Sequence, residues 1–205
     1  MLENLLRQLH ERRSSDTVCN QYHDVGTLNN LRIYLSYLTR FTSDILLVGE
    51  APGYRGCRIT GIPFTSGDVI MTSKHDMFKD FGSNIICYPV MAEHTAKMLW
   101  TFLEVNNAVP ILWNAFPFHP HQSRIPTSNR KPNVSEVREG NIYLRLIYDL
   151  FKPKTLCSLG RVGESVLKEM FPNRDIMYIR HPSYGGKKDF IEGMKKVYKN
   201  ILTPR

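Results

Sequence analysis

Glu50, Asn114 and His181 each stand within two residues of the end of a short apolar run. Their side chains suit three different tasks. Glu50 opens the segment GEAPGYRGCRITGIPFTSG, residues 49–67. Its carboxylate is flanked by Gly49 and Ala51, which let a substrate come close. Asn114 is the first polar residue after Pro110-Ile111-Leu112-Trp113. Its amide donates and accepts at once, which matches the edge of a nucleobase, although turn formation is an equal use for an Asn. His181 leaves another apolar run and precedes Pro182. An imidazole there stabilises developing negative charge or carries a proton, or serves the loop alone. Phe64 follows a proline without a core period, and reads either as a plug under its loop or as a platform for a flat ligand. In His119 and His121 the chain has an H-x-H pair, which on a strand would share one face and could hold a metal. The surrounding prolines and the lack of a third nearby ligand argue against that use.

Such residues need a scaffold that brings distant loops together. Ile45 to Val48, Pro110 to Trp113, Lys154 to Leu159 and Ile176 to Ile179 read as short buried strands. Helix-period segments lie between and around them: Leu2 to Arg12, Thr27 to Arg40, Asp68 to Phe81, Ala92 to Val105, Val134 to Phe151 with Ser135 as its cap, Val162 to Met170, and Lys187 to Leu202. The alternation predicts a three-layer α/β/α sandwich around a four-stranded, mainly parallel sheet. Ligands of such sheets sit beyond the carboxyl ends of the strands. Those ends are Gly49, Asn114, Gly160 and Arg180. At Gly160 the SLGRVGES turn reads as a phosphate-holding helix start or as plain turn geometry. The tip Ser183-Tyr184-Gly185-Gly186 with Lys187 and Lys188 suits a phosphate backbone.

Composition narrows the partners. The 205 residues carry 27 basic and 19 acidic side chains, a formal charge of +8. Residues 174–205 hold eight basic and three acidic groups. A basic surplus fits a polyanion, or simply solubility. Cys19, Cys57, Cys87 and Cys157 are too widely spaced for a metal motif and read as reduced thiols. MLENLLRQLHERR has no uninterrupted apolar core or small-residue cleavage site, and no uncharged apolar stretch is long enough to span a membrane. The expectation is a cytoplasmic monomer of one domain, residues 1–205, with residues 1–40 as a helical extension packed on it.

The order of these loops resembles the uracil-DNA glycosylase superfamily over roughly residues 43–200. GEAPG with TGIPFTSG looks like the family-four, thermophile-type enzymes, as do Asn114, the stretch ending Asn129-Arg130-Lys131-Pro132, and CSLGRVGESVL. His181-Pro182-Ser183 is similar to the superfamily's second motif. The resemblance implies a DNA glycosylase that flips uracil from DNA and hydrolyses its glycosidic bond, without lyase activity. It implies catalytic roles for Glu50, His181 and Asn114, and a base pocket of Phe64, Gly49, Ala51, Pro52 and Gly53. DNA contacts are implied for Arg58, Ser66, Arg130, Gly163, Ser183, Tyr184, Lys187 and Lys188. Departures are informative. Phe116 stands where family four has a cluster cysteine, and the N-terminal cysteine pair is missing, so no iron–sulfur cluster, other cofactor or metal is expected. Ala51 replaces the Asp of the superfamily's founding family, leaving Glu50 as the carboxylate. Gly53 replaces a Tyr that excludes the thymine methyl, so base choice stays open between uracil and another altered base. Two further readings remain: a DNA-binding module without turnover, and a metal hydrolase using His119, His121 and His181.

Overall fold

The four apolar runs pair as one parallel sheet, in the order β3-β2-β5-β6. The strands are β2 (Ile45–Gly49), β3 (Ile111–Asn114), β5 (Thr155–Leu159) and β6 (Ile176–Ile179). A two-residue antiparallel pair, β1 (Val18–Cys19) with β4 (His119–Pro120), lies apart from it. The computed structural model describes residues 1–41, 43–106 and 108–202, without the side chains of 200–202. Every residue of β2 and β3 is buried, which is why both read as unbroken apolar runs. The edge strand β6 is only half-buried over its first three residues.

Helices cover both faces. The path β3–α7 (Val134–Phe151)–β5–α8 (Arg161–Met170)–β6 runs one way across the sheet, and β2 to β3 runs the other. Right-handed crossovers then put α7 and α8 on one face, where they touch each other. On the other face α6 (His94–Leu103) and α9 (Lys187–Leu202) flank a shared groove. Connections therefore leave β2 and β5, which are neighbours, toward opposite faces. That divergence opens a crevice at their carboxyl ends.

At the N-terminus, α1 (Leu2–Glu11) buries Leu5, Leu6 and Leu9, and packs on α2 (Val25–Arg40) and α7. The α2 helix also protects the sheet. Its buried Tyr34 hydroxyl accepts the Leu112 N–H at 2.9 Å and lies 3.3 Å from the Pro110 carbonyl. Two outward backbone groups at edge strand β3 are thereby satisfied. No helix among the described residues is long and apolar enough to cross a membrane.

Two local expectations are corrected. Asp68 to Phe81 is not one helix but α4 (Gly67–Thr72) and α5 (Asp76–Phe81). The break has partners waiting: Glu104 accepts the Ser73 hydroxyl at 2.7 Å and the Lys74 N–H at 2.9 Å. His75 then caps α5 through its Nδ1, which accepts the Met77 N–H at 3.1 Å. Asn133, not Ser135, caps α7, in a reciprocal capping box with Glu136.

Gly163 makes a close contact between α8 and the sheet. A Cβ there would fall 2.2 Å from the Val48 carbonyl oxygen. Only a hydrogen lets the helix approach so closely. Gly163→Ala is expected to destabilise the protein by about 2–3 kcal/mol, because α8 must move off β2. Urea unfolding of the purified variant measures it, and an unchanged midpoint would contradict this packing.

Candidate functional site

Register brings the three loop residues together. Gly49 pairs with Asn114 at the last step of the β2–β3 ladder. The ladder then runs on past the strands: Ala115 N–H donates to the Gly49 carbonyl at 2.9 Å, and Phe116 N–H to the Glu50 carbonyl at 3.0 Å. Glu50 and Asn114 are therefore fixed by backbone, not by loop chance. Across β5, Gly160 donates to the Ile179 carbonyl at 2.9 Å, and a Cβ on it would lie 3.7 Å from that of His181. One cavity of about 540 Å³ opens here. Glu50, Ala51, Pro52, Gly53, Phe64, Asn114, Arg130, His181, Ser183 and Tyr184 all line it.

The first loop is shaped by clamps. Phe64 has φ +53°, a left-handed conformation unusual for an aromatic residue. Trp100 holds it there, its Nε1–H donating at 3.1 Å to both the Phe64 carbonyl and the Thr65 hydroxyl. The Phe64 ring lies over Gly49, where a Cβ would stand 2.1 Å from Cζ. Phe64 thus is half-buried, resting on the strand end with its ring at the cavity. His119 sits between the carbonyls of Pro52 and Pro126, at 2.8 and 3.2 Å. Burial lowers its pKa, so the ring is neutral and donates to one of them, Nδ1 to Pro52 by the shorter contact. His121 Nδ1 faces the Gln122 carbonyl at 2.9 Å. His119 is a prop for the first loop, while His121, stacked on it, is turned to the Gln122 carbonyl. Among the described residues no group of three or more His, Cys, Asp or Glu is arranged to hold a metal.

Each polar group at the cavity has a defined state. Glu50 is pushed up from the usual carboxylate pKa by desolvation, partly offset by the nearby Lys131 charge. Asn114 is 3% exposed, and its amide makes no hydrogen bond with the described residues. His181 is lowered by burial and then by Arg180, so it is neutral near pH 7. Its Nδ1 accepts the Ser183 N–H at 3.3 Å and meets the Ser183 hydroxyl at 2.8 Å. With Nδ1 accepting, the proton belongs on Nε2, leaving a donor for the cavity. A carboxylate, a free amide, a neutral imidazole donor and an aromatic face therefore share one space. That set can hold a flat heterocycle, stabilise an anion on it, and stabilise a cation or activate water beside it.

Other expected contacts are elsewhere. Ser66 is fully buried at the start of α4 and presents nothing to a ligand. Gly163 is packed under β2, as described above, where its missing side chain makes room for the Val48 carbonyl, and it does not line the cavity. Arg130 lines the cavity but is fully committed. Its five N–H groups are directed to the carbonyls of His121, Lys131 and Thr17 and to both oxygens of Glu136. Glu136 neutralises it, and the expected free phosphate grip is corrected to a clamp on the start of α7. Arg58 lines a separate cavity beside Tyr88. Lys187 and Lys188 are exposed in the first turn of α9, outside the cavity wall, and Lys187 borders the α6–α9 groove. Of the tip residues, Tyr184, 98% exposed with φ +51°, and Gly185, at φ +77°, stand out in solvent, and the Tyr184 carbonyl accepts from Arg180 at 3.3 Å. Ser183 lines the cavity and also sets the His181 tautomer.

Sequence reasoning did not single out Glu93, Lys131 or Arg161, which line the same cavity. Lys131 and Arg161 stood inside the motifs quoted above, but without a role of their own. Glu93 reads as a helix start, and no local pattern marks it. Phe116, standing in for a cluster cysteine, is wholly buried and edge-on to Phe118 at 5.5 Å.

Comparison with known proteins bears on the fold and the family. A solved structure titled as wild-type SMUG2 of Pedobacter heparinus superposes with a TM-score of 0.65, covering 98% of this chain and 97% of that one at 14% identity. That likeness establishes the fold. No curated protein matches the sequence. The model of the uracil DNA glycosylase superfamily matches residues 35–200, from the end of α2 through α9, and so takes in every strand of the sheet and all four strand-end loops. The chain belongs to the uracil DNA glycosylase superfamily.

Proposed function

We propose that this protein excises uracil from DNA as a monofunctional glycosylase. One observation carries the reading: Glu50, the unpaired Asn114 amide, the His181 Nε2 donor and the Phe64 ring meet in one cavity at the sheet's carboxyl end. Superfamily membership supports it.

A base inside a duplex is out of reach, so it is flipped into the cavity. Tyr184 and Gly185, exposed at the rim, fill the gap left in the stack. Phe64 stacks on the flipped base and Asn114 pairs with its lactam edge. The bond from sugar carbon to base nitrogen breaks with its electron pair leaving on the base. His181 donates a hydrogen bond to the base oxygen where that charge collects. The sugar becomes cation-like beside Glu50, whose carboxylate stabilises it and orients the water that adds to the same carbon. Lys131 keeps Glu50 ionised against its desolvation. The exposed basic residues around the rim bind phosphates, so affinity falls steeply with salt.

The test is an end-labelled oligonucleotide with one central uracil, single-stranded or opposite guanine or adenine. Strand cleavage is expected only after alkali. No alkali-dependent cleavage of any uracil substrate by folded protein would overturn the reading. Cleavage without alkali, with borohydride trapping at Lys131, would overturn its monofunctional part.

A further inference from the structure

Glu93 has no part in the chemistry above, and its position needs an explanation. It is the N-cap residue of α6, where a carboxylate ordinarily accepts a backbone N–H of the first turn. Its side chain makes no such bond. It turns instead into the cavity, beside Gly53 and Gly56. A Cβ on Gly56 would lie 2.4 Å from Glu93 Oε2, and one on Gly53 would lie 3.9 Å from the carboxyl carbon. The space a side chain on Gly56 would fill is thus the space this carboxyl occupies, with Gly53 in van der Waals reach of it. Among the described residues it has no hydrogen-bond or ion-pair partner.

The charged groups around it leave it unpaired. His94 and Lys97, on its own helix, line the α6–α9 groove on the other side. Arg130 faces the cavity but is neutralised by Glu136, and Lys131 acts on Glu50. Arg161 pairs with Glu164 and lies 4.2 Å over the Tyr178 ring. Cys57, from α3 (Cys57–Thr60), feels the Glu93 charge but has its own thiol pushed well up by burial. Desolvation alone lifts Glu93 to about 7. Below that pH it is a carboxylic acid with one O–H to donate and one carbonyl to accept. A sheltered polar group without a partner is costly, and a ligand atom placed there removes the cost.

We infer that Glu93 is a specificity-determining residue, whose carboxyl hydrogen-bonds the edge of the flipped base facing Gly53 and selects bases with an acceptor on that edge. This rests on the excision reading and adds a second contact to that of Asn114. The carboxyl is separate from the reacting atoms, so its effect falls on base choice.

The experiment compares wild type, Glu93→Gln and Glu93→Ala on duplexes with uracil, thymine, 5-hydroxymethyluracil or hypoxanthine, from pH 6 to pH 8.5. Gln is isosteric and always neutral, so limbs set by other groups cancel in the ratio of wild-type to E93Q rates. That ratio is expected to fall about tenfold across the range on the preferred base, as Glu93 ionises and repels the acceptor. E93A is expected to narrow the spread of rates among the four bases by a similar factor. Affinity for the same duplexes carrying 2′-fluoro-arabino nucleotides, which resist hydrolysis, supplies a readout without turnover. Excision with a pH-independent ratio and an unchanged ranking in E93A would overturn the Glu93 assignment and leave the excision reading standing. No excision, but a pH-dependent wild-type to E93Q affinity ratio, would do the reverse. Flat ratios in both assays would overturn both.

Discussion

Glu50→Gln is expected to lower uracil excision by about a thousandfold while leaving affinity for uracil-containing DNA within a factor of about three. The amide has nearly the shape of the carboxylate but neither its charge nor its basicity. It can neither stabilise a cation-like sugar nor take a proton from water. Folding should be little changed, because Glu50 is fixed through its carbonyl to Phe116 N–H and not through its carboxyl. The pH profile offers an independent check. Desolvation raises the Glu50 pKa, so the required carboxylate is lost as pH falls through a range above that of an ordinary glutamate. Wild-type excision should therefore show an acid limb, and the residual activity of the Gln variant should not. Lys131→Ala should move that limb to higher pH, since the offsetting charge is gone. Single-turnover rates from pH 4.5 to 8 read all three. A Gln variant with wild-type rates would remove Glu50 from the chemistry.

What the sequence revealed follows from which interactions are local. Glu50, Asn114 and His181 were legible because a buried parallel strand announces its own end, and strand ends in such sheets converge. The fold class was legible for the same reason. The break at Ser73 to His75 was not, because the carboxylate that stabilises it comes from Glu104, thirty residues on. Arg130 looked like a free cation in a Pro-rich loop. Its partners are Glu136, on a helix still to form, and the Thr17 carbonyl, more than a hundred residues earlier. Ser66 and Gly163 were assigned by resemblance to motifs, and their burial depends on what packs over them. His119 shows the same limit: nothing near it in the sequence announced its hold on the Pro52 carbonyl, sixty-seven residues earlier. Glu93 was the least legible of all. A Glu before an apolar helix is an ordinary cap, and only the bare backbones of Gly53 and Gly56, near it in space, give it another task.

The second large effect is at His181, where Ala is expected to lower excision about a hundredfold or more. The argument turns on which form of the ring is present. Burial and Arg180 both disfavour the imidazolium. A fixed full charge is not needed, because the departing base collects charge only as the bond breaks. A neutral donor aimed at that oxygen stabilises the transition state more than the bound substrate, which is what accelerates the step. Ser183 then has a positioning role. Its N–H and hydroxyl hold Nδ1 as the acceptor and leave Nε2 protonated. Ser183→Ala removes the hydroxyl but keeps the backbone N–H, so a loss of about fivefold is expected, in kcat rather than KM, and no further loss when added to His181→Ala. Nitrogen NMR of the histidine ring at pH 7 tests the premise directly. The Nε2–H tautomer in wild type, and a mixed population in the Ser183 variant, is the expected pair of spectra. A charged imidazolium at pH 7 would mean that the leaving base is met by a full positive charge, and the role given to Ser183 would fall with it.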